Sequence, residues 1–456
     1  MKRIIGLTLC IALLFCLMAC SSPGGSGENA DSRGSADASI SDNASVDSSG
    51  SKELPEQTIT LQVTSWRTDD AAYWEEINAA FHAENPGIEV VFNGVTATEY
   101  DSVLQTKLQS GNAEDILFLR TFGTGKQIYD AGYVLPLSES EIPNLAQIHA
   151  AYKTPWTDAE DGTVYGVPGS MCMGGFFYNK GIFRDAGIEN PPETWDEFLE
   201  DCEKLEAAGY IAVADGIKDS WFITEYISST VAPVTVGGSQ WHERLMNKEV
   251  DWTDPGFVKS MEWTAQLAEH FPTGYEGIGY DDAQMLFLSE AAAIYPSGSF
   301  DLAYLQTTNP DIDLGWFFMP VEAAGDVPSI NFNCIMGYGI NAALQGEPEK
   351  LEAAYQYLNW LCGDTASSMF NNRIVGQYAC NTETADDIEN ELAAEIFSDA
   401  KGGDLFQQMP YEGVSDSSPD YTTVVTQAIY DLLINGKSAE EVCETMVEQQ
   451  AWYFNS

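Results

Sequence analysis

The stretch from Asp161 to Gly209 constrains the fold most, because its punctuation marks where each segment starts and stops. Residues 163–167 are β-prone and end at Pro168, which has no N–H to donate to a continuing ladder. Gly174-Gly175-Phe176-Phe177-Tyr178 is an aromatic strand, followed at once by a short helix that Gly187 can close. Pro191-Pro192 breaks the chain, and Thr194 with Glu197 supplies a T-x-x-E capping box for a new helix. That helix carries Trp195, Phe198, Leu199, Cys202 and Leu205 on one face, and Gly209 ends it.

Upstream, Ile59, Leu61 and Val63 alternate as a strand that ends at Ser65-Trp66-Arg67. A helix follows with Trp74, Ile77 and Phe81 on one face, stopped by Asn85-Pro86-Gly87. Residues 88–92 read as a second strand, residues 98–110 as a helix closed by Gly111, and residues 115–119 as a third strand. This β-α-β-α-β order predicts a mostly parallel sheet with helices on both faces. Beyond Trp195 the chain becomes richer in helix, with starts near Ser220, Ser239, Asp254 and Tyr280. Short strands are expected at 212–214, 291–295 and 313–318 and a crossing strand at 335–341, then helices from Pro348, Asp364, Asp386, Tyr421 and Ser438.

The succession YGVP, spacer, aromatic strand ending Tyr-Asn-Lys, helix, then Pro-Pro-x-Thr-Trp-x-Glu-Phe resembles the centre of the family 1 extracellular solute-binding proteins. These are the sugar-binding components of ABC importers, the family to which maltose-binding protein belongs. Residues 100–119, 287–302, and 337–341 with 349–361 are similar to further landmarks of that family, so the resemblance spans the folded part of the chain. It implies an α/β fold of two periplasmic-binding-protein-like lobes, each a mostly parallel sheet flanked by helices, joined by crossing hinge strands. The implied boundaries are 57–165 plus 291–332 for the N-terminal lobe and 170–290 plus 335–456 for the C-terminal lobe.

Lys2-Arg3 and a mostly apolar run over residues 4–19 read as a signal peptide, residues 1–19. Leu17-Met18-Ala19-Cys20 resembles the lipobox of bacterial lipoproteins, in which the Cys is diacylated; an ordinary signal peptide with an incidental Cys is the alternative. Residues 21–56 are rich in Ser, Gly, Asp, Ala and Asn and cannot bury enough apolar surface to offset ordering entropy. Residues 20–56 therefore read as a lipidated Cys and a disordered tether, with a reach of roughly 30 Å.

The rest, about 400 residues, exceeds what one core supports. With 70 acidic against 20 basic residues the net charge is −50, which repels nucleic acid and anionic lipid and excludes nucleic-acid binding. Contact with a membrane is then expected through the lipid anchor alone. Six Cys lie beyond the tether, Cys172, Cys202, Cys334, Cys362, Cys380 and Cys443, with no C-x-x-C or zinc spacing. Buried free thiols are favoured, although export leaves disulfides open.

In open α/β sheets, ligands bind outside the carboxyl ends of parallel strands. The first strand ends at Trp66-Arg67, close to Asp69, and the third at Arg120-Thr121, so these residues face the expected cleft. The family resemblance adds Met173, Trp221, Phe300, Tyr378 and Tyr421. A pyranose packs its apolar face on an aromatic ring and needs fixed polar partners for its hydroxyls, so Trp with Arg and Asp is a sugar-binding set. Each ring has a core alternative, and Arg67 and Arg120 have neighbouring carboxylates as an alternative. Four scattered His and no H-E-x-x-H argue against a zinc hydrolase, and 70 acidic residues make any carboxylate pair uninformative for a glycosidase. Gly436-Lys437-Ser438 ends like a P-loop, but Asp431 stands at its first Gly. No cofactor or metal is implied.

The chain thus reads as a monomeric binding protein, not an enzyme. Anchored outside a bacterial cell, it captures a mono- or oligosaccharide for ABC permease subunits. An extracellular glycan-active enzyme and a receptor for a cationic or peptide solute are the alternatives.

Overall fold

The computed structural model describes residues 58–455 apart from 97–98, 159, 220, 223–228, 383, 408, 410–413 and 415–416. The signal peptide, Cys20 and the tether lie outside the described residues, and of Asp69 only the backbone is described. Strands β1 (Ile59–Ser65), β2 (Ile88–Gly94) and β3 (Ile116–Leu119) form the start of the sheet, with β2 and β3 both parallel to β1. The linking helices are Ala71–Glu84, which buries Trp74, Ile77 and Phe81, and Tyr100–Ser110, closed by Gly111 at φ +70°. Local period and caps are enough to produce this part, and it is as expected.

Strand β4 (Val167–Asn179) begins at the last residue of the first expected segment and runs through the second, while Val164 forms only isolated bridges to Leu137 and Thr157. The ladder runs on through Pro168, against expectation, because register shifts at Pro168–Ser170 and Ser170–Met171 absorb the missing donor. The remaining strands are β5 (Ile211–Val213), β6 (Ala292–Gly298), β7 (Leu314–Phe317), β8 (Ser329–Ile340), β9 (Tyr378–Ala379) and β10 (Asp404–Gln407). Residues 167–173 of β4 pair with β8, whereas residues 174–178 pair with β6 and 176–179 with β7. In turn β8 lies antiparallel between β3 and β4 at its carboxyl end and parallel to β10 at its amino end. Parallel pairing therefore holds for β2–β1–β3, β5–β6 and β10–β8, and the two crossing strands add the antiparallel pairs.

The pairing corrects the segment boundaries. β6 and β7, within the 291–332 segment expected in the first lobe, pair with the second half of β4 and so belong to the second. Helices Pro348–Leu361 and Asp364–Arg373, expected in the second lobe, pack on the first: Tyr357 and Trp360 stand edge-on to Phe81, and Phe370 to Trp74. The reason is that β8 carries the chain back beside β3, so whatever follows it starts on that side, until β10 returns to the other.

The capping box forms as read: the Thr194 hydroxyl accepts from Glu197 N–H at 3.4 Å and the Glu197 carboxylate accepts from Thr194 N–H at 3.1 Å. Helices also begin after Ser239, Asp254 and Ser438, but Asp386 starts only a short turn, and the helix there is Glu391–Ala400. All six described Cys are free and buried. No described helix is long and apolar enough to cross a membrane.

Candidate functional site

The carboxyl ends of β1 and β3 lie side by side, since Val63 pairs with Ile116 and Thr64 with Leu117. Trp66, immediately after β1, is only 7% exposed and meets Tyr100 and Phe118 edge-on at 5.2 and 6.0 Å. The Arg120 guanidinium, immediately after β3, lies 4.1 Å from the Trp66 ring centre and covers it. Arg120 also bonds Asp101 at 3.3 Å, and its carbonyl accepts from the Trp156 indole at 3.0 Å. Arg67 pairs with Asp70 at 2.5 Å. The two Arg side chains remain 24% and 31% exposed, so this end presents cations around a buried ring. Thr121, half-buried, precedes the helix Phe122–Asp130 without capping it. Phe122 itself holds a left-handed φ of +50° and joins an apolar cluster otherwise built from Phe176 and later residues, so it reaches into the second lobe. No sequence pattern announces that position.

The second end is made by the carboxyl termini of β5 and β6, which are parallel. After β5 comes Asp215, fully buried, with one oxygen accepting from Gly216 N–H at 2.6 Å and the other without a partner. Burial pushes its carboxyl well above the usual carboxylate range. Trp221 follows and is 38% exposed, its ring 4.9 Å from that of Tyr280. After β6 comes the turn Ser299–Asp301, with Phe300 half-buried between Ser299 and Asp301, both of which are buried. Asp301 accepts from the hydroxyls of Tyr280, Tyr295 (2.8 Å) and Ser297 (2.6 Å) and from the Gln284 amide at 3.4 Å. Burial pushes this carboxyl up and the four donors pull it back.

Met173 sits where β4 passes from β8 to β6. It is buried, and its N–H donates to the Ser299 hydroxyl at 3.1 Å, which in turn donates to the Gly376 carbonyl at 2.6 Å. Gly376 has φ +88°, and a Cβ there would lie 1.9 Å from the Ser299 carbonyl oxygen, so only Gly fits. The structure thus joins the Met173, Phe300 and Tyr378 segments. Two of the sequence-selected rings are core residues: Tyr378 is buried with its hydroxyl on the Ala393 carbonyl at 2.9 Å, and Tyr421 is buried against Trp252 at 5.1 Å. Position along the chain carries no information about which way a ring turns. Conversely, Tyr280, which the sequence marks only as a helix start, contacts Trp221 and Asp301.

The profile of the family described as bacterial extracellular solute-binding protein matches residues 64–366. The chain belongs to that family. Extracellular solute-binding proteins are binding proteins, and their description sets the coarse location, outside the cell or in the periplasm. A multiple sugar-binding protein of Streptococcus mutans is 25% identical over 296 residues, 62% of this chain and 67% of that relative. A putative binding protein of Brucella abortus is 30% identical over 155 residues, 33% of this chain and 36% of that relative. Among solved structures, a chitin oligosaccharide binding protein superposes with a TM-score of 0.71 at 22% identity, covering 88% of this chain and all (100%) of the other. A raffinose complex of the binding protein RafE gives 0.65 at 20% identity, covering 87% and 99%. These similarities establish the two-lobed solute-binding fold.

Proposed function

We propose that this member of the family captures a carbohydrate between its two lobes and delivers it to the permease of an ABC importer. The observation that carries the reading is the pair of strand ends. One offers an exposed Trp221 beside half-buried Tyr280 and Phe300; the other offers half-exposed Arg67 and Arg120, with Thr121 and Asp69 nearby in sequence. A sugar needs this combination: a ring for its apolar face and charged groups for its hydroxyls. Relatives named for multiple sugars, chitin oligosaccharide and raffinose support the same class. Met173 contributes to the floor through its backbone, while Tyr378, paired with Met171, supports it from inside the core.

The lobes are linked by β4, β8 and the chain entering β10, so bending these links closes the cleft, and the ligand stabilises the closed state by its differential affinity. Cys20 carries the lipid that holds the monomer at the outer face of the cell membrane, and residues 21–56 form its tether. A thermal-shift panel of chitooligosaccharides, xylo-oligosaccharides, raffinose and galactose, with spermidine and a tripeptide as non-sugar arms, tests the ligand class. A saccharide at 100 times its Kd stabilises by about 2.7 kcal/mol. A shift with spermidine or peptide alone, or chromatographic turnover of any saccharide, would overturn the reading.

A further inference from the structure

The two rings offered by the second lobe come from different loops, yet both loops hang on one carboxylate. Residues 217–219 are laced to residues 275–280: Ile217 N–H donates to the Tyr275 carbonyl and Lys218 N–H to the Ile278 carbonyl, both at 3.1 Å. The Asp219 carboxylate accepts from Tyr280 N–H at 2.8 Å, at the start of the helix Tyr280–Leu288. Trp221 therefore emerges two residues from a fixed point. Its ring then rests on the Tyr280 ring at 4.9 Å and 55°, with Phe222 edge-on to Tyr280 at 5.3 Å. At its far end the Tyr280 hydroxyl donates to Asp301 Oδ1, and Asp301 is the residue after Phe300. Asp301 cannot swing, because Tyr295, Ser297 and Gln284 hold it as well. A phenol spanning from one loop to a buried acceptor in the other fixes both the height and the tilt of what leans on it.

We propose that Tyr280 is a positioning residue for the carbohydrate site: through its hydroxyl bond to Asp301 it sets the Trp221 ring relative to Phe300, and so selects the pyranose face that fits. This rests on the carbohydrate reading above, but its test does not need a sugar. In the full chain labelled with 15N, the indole resonance of Trp221 is identified by its loss in Trp221→Phe. In Tyr280→Phe, which keeps the ring and removes the bond, that resonance should shift and broaden while the melting temperature moves little. In Tyr280→Ala it should move further, toward the position of a mobile exposed indole. A Trp221 resonance unchanged in Tyr280→Phe overturns the proposal, and that variant decides the matter if Tyr280→Ala does not fold. Separately, chitotriose and raffinose are titrated into wild type and Tyr280→Phe. A weakening of about two- to tenfold, the size of one hydrogen bond's net contribution, is expected for whichever sugar wild type binds. If wild type binds neither, that counts against the carbohydrate reading and leaves the indole result to decide the positioning.

Discussion

At the carboxyl end of β1 and β3 the ring is inside and the charge outside, whereas at the carboxyl end of β5 and β6 the charge is inside and the ring outside. Trp66 is sealed by Tyr100, Phe118 and the Arg120 guanidinium. Trp221 leans outward on Tyr280, while Asp301 and Asp215 are enclosed beneath. The strand-end rule points to both regions alike as places for a ligand. It does not say which group faces out, because that depends on what the neighbouring helix supplies. In the first lobe, the helix Tyr100–Ser110 begins with an aromatic that pairs with the Trp. In the second, the helix Tyr280–Leu288 begins with a phenol whose hydroxyl is committed to Asp301, so its ring supports the Trp from below.

Substitution tests the contrast most strongly at Trp66. Trp66→Ala removes a buried indole and should cost about 3–5 kcal/mol of stability in urea melts, with affinity of the surviving folded fraction little changed. A normal melt with lost binding would make the two ends alike. Trp221→Ala should give the reverse: about 2 kcal/mol lost in saccharide affinity by calorimetry, with under about 1 kcal/mol lost in stability. Arg120→Gln uncovers the Trp66 ring and breaks the contact with Asp101. The expected loss is about 0.5–1 kcal/mol in stability, with a weaker salt dependence of binding.

At Asp215 the expected effect is a change of slope with pH. Burial raises its carboxyl in the folded protein above the ordinary value of about 3.9. The folded state therefore holds the proton more tightly. The favourable contribution is complete below about pH 3.9 and is lost as pH rises through the raised folded value. Asp215→Asn should remove that decline, so the variant gains on wild type between melts at pH 4 and pH 7. A constant difference across that range would show the carboxyl to be solvated.

What the sequence made legible was whatever neighbouring residues decide between themselves. Thr194 and Glu197 are three apart and cap each other; Gly111 and Gly187 close their helices; Ile59, Leu61 and Val63 alternate because one face is packed. Distant partners were not legible. β10 was not foreseen, because Asp404–Gln407 becomes a strand only by lying against Ser329–Phe332. The lobe boundaries were misread for the same reason: pairing with β4, not position along the chain, assigns β6 and β7. Among site residues, Trp66 and Trp221 looked equivalent in sequence, Tyr378 and Tyr421 proved to be core, and Tyr280 showed its role only through Asp301, 21 residues away.

The position of β8 also governs when this protein can fold. It lies between β3 and β4 in space but arrives more than two hundred residues after β3 in sequence, and β10 arrives later still. A growing chain that has reached β7 therefore has β3 and one side of β4 without their partner, exposing unpaired edges of both. Closing loops of that length before any contact rewards them slows folding. A chain of this topology stays unfinished until its last third is available, and throughout that time its open edges are the part most exposed to chaperones, proteases and aggregation.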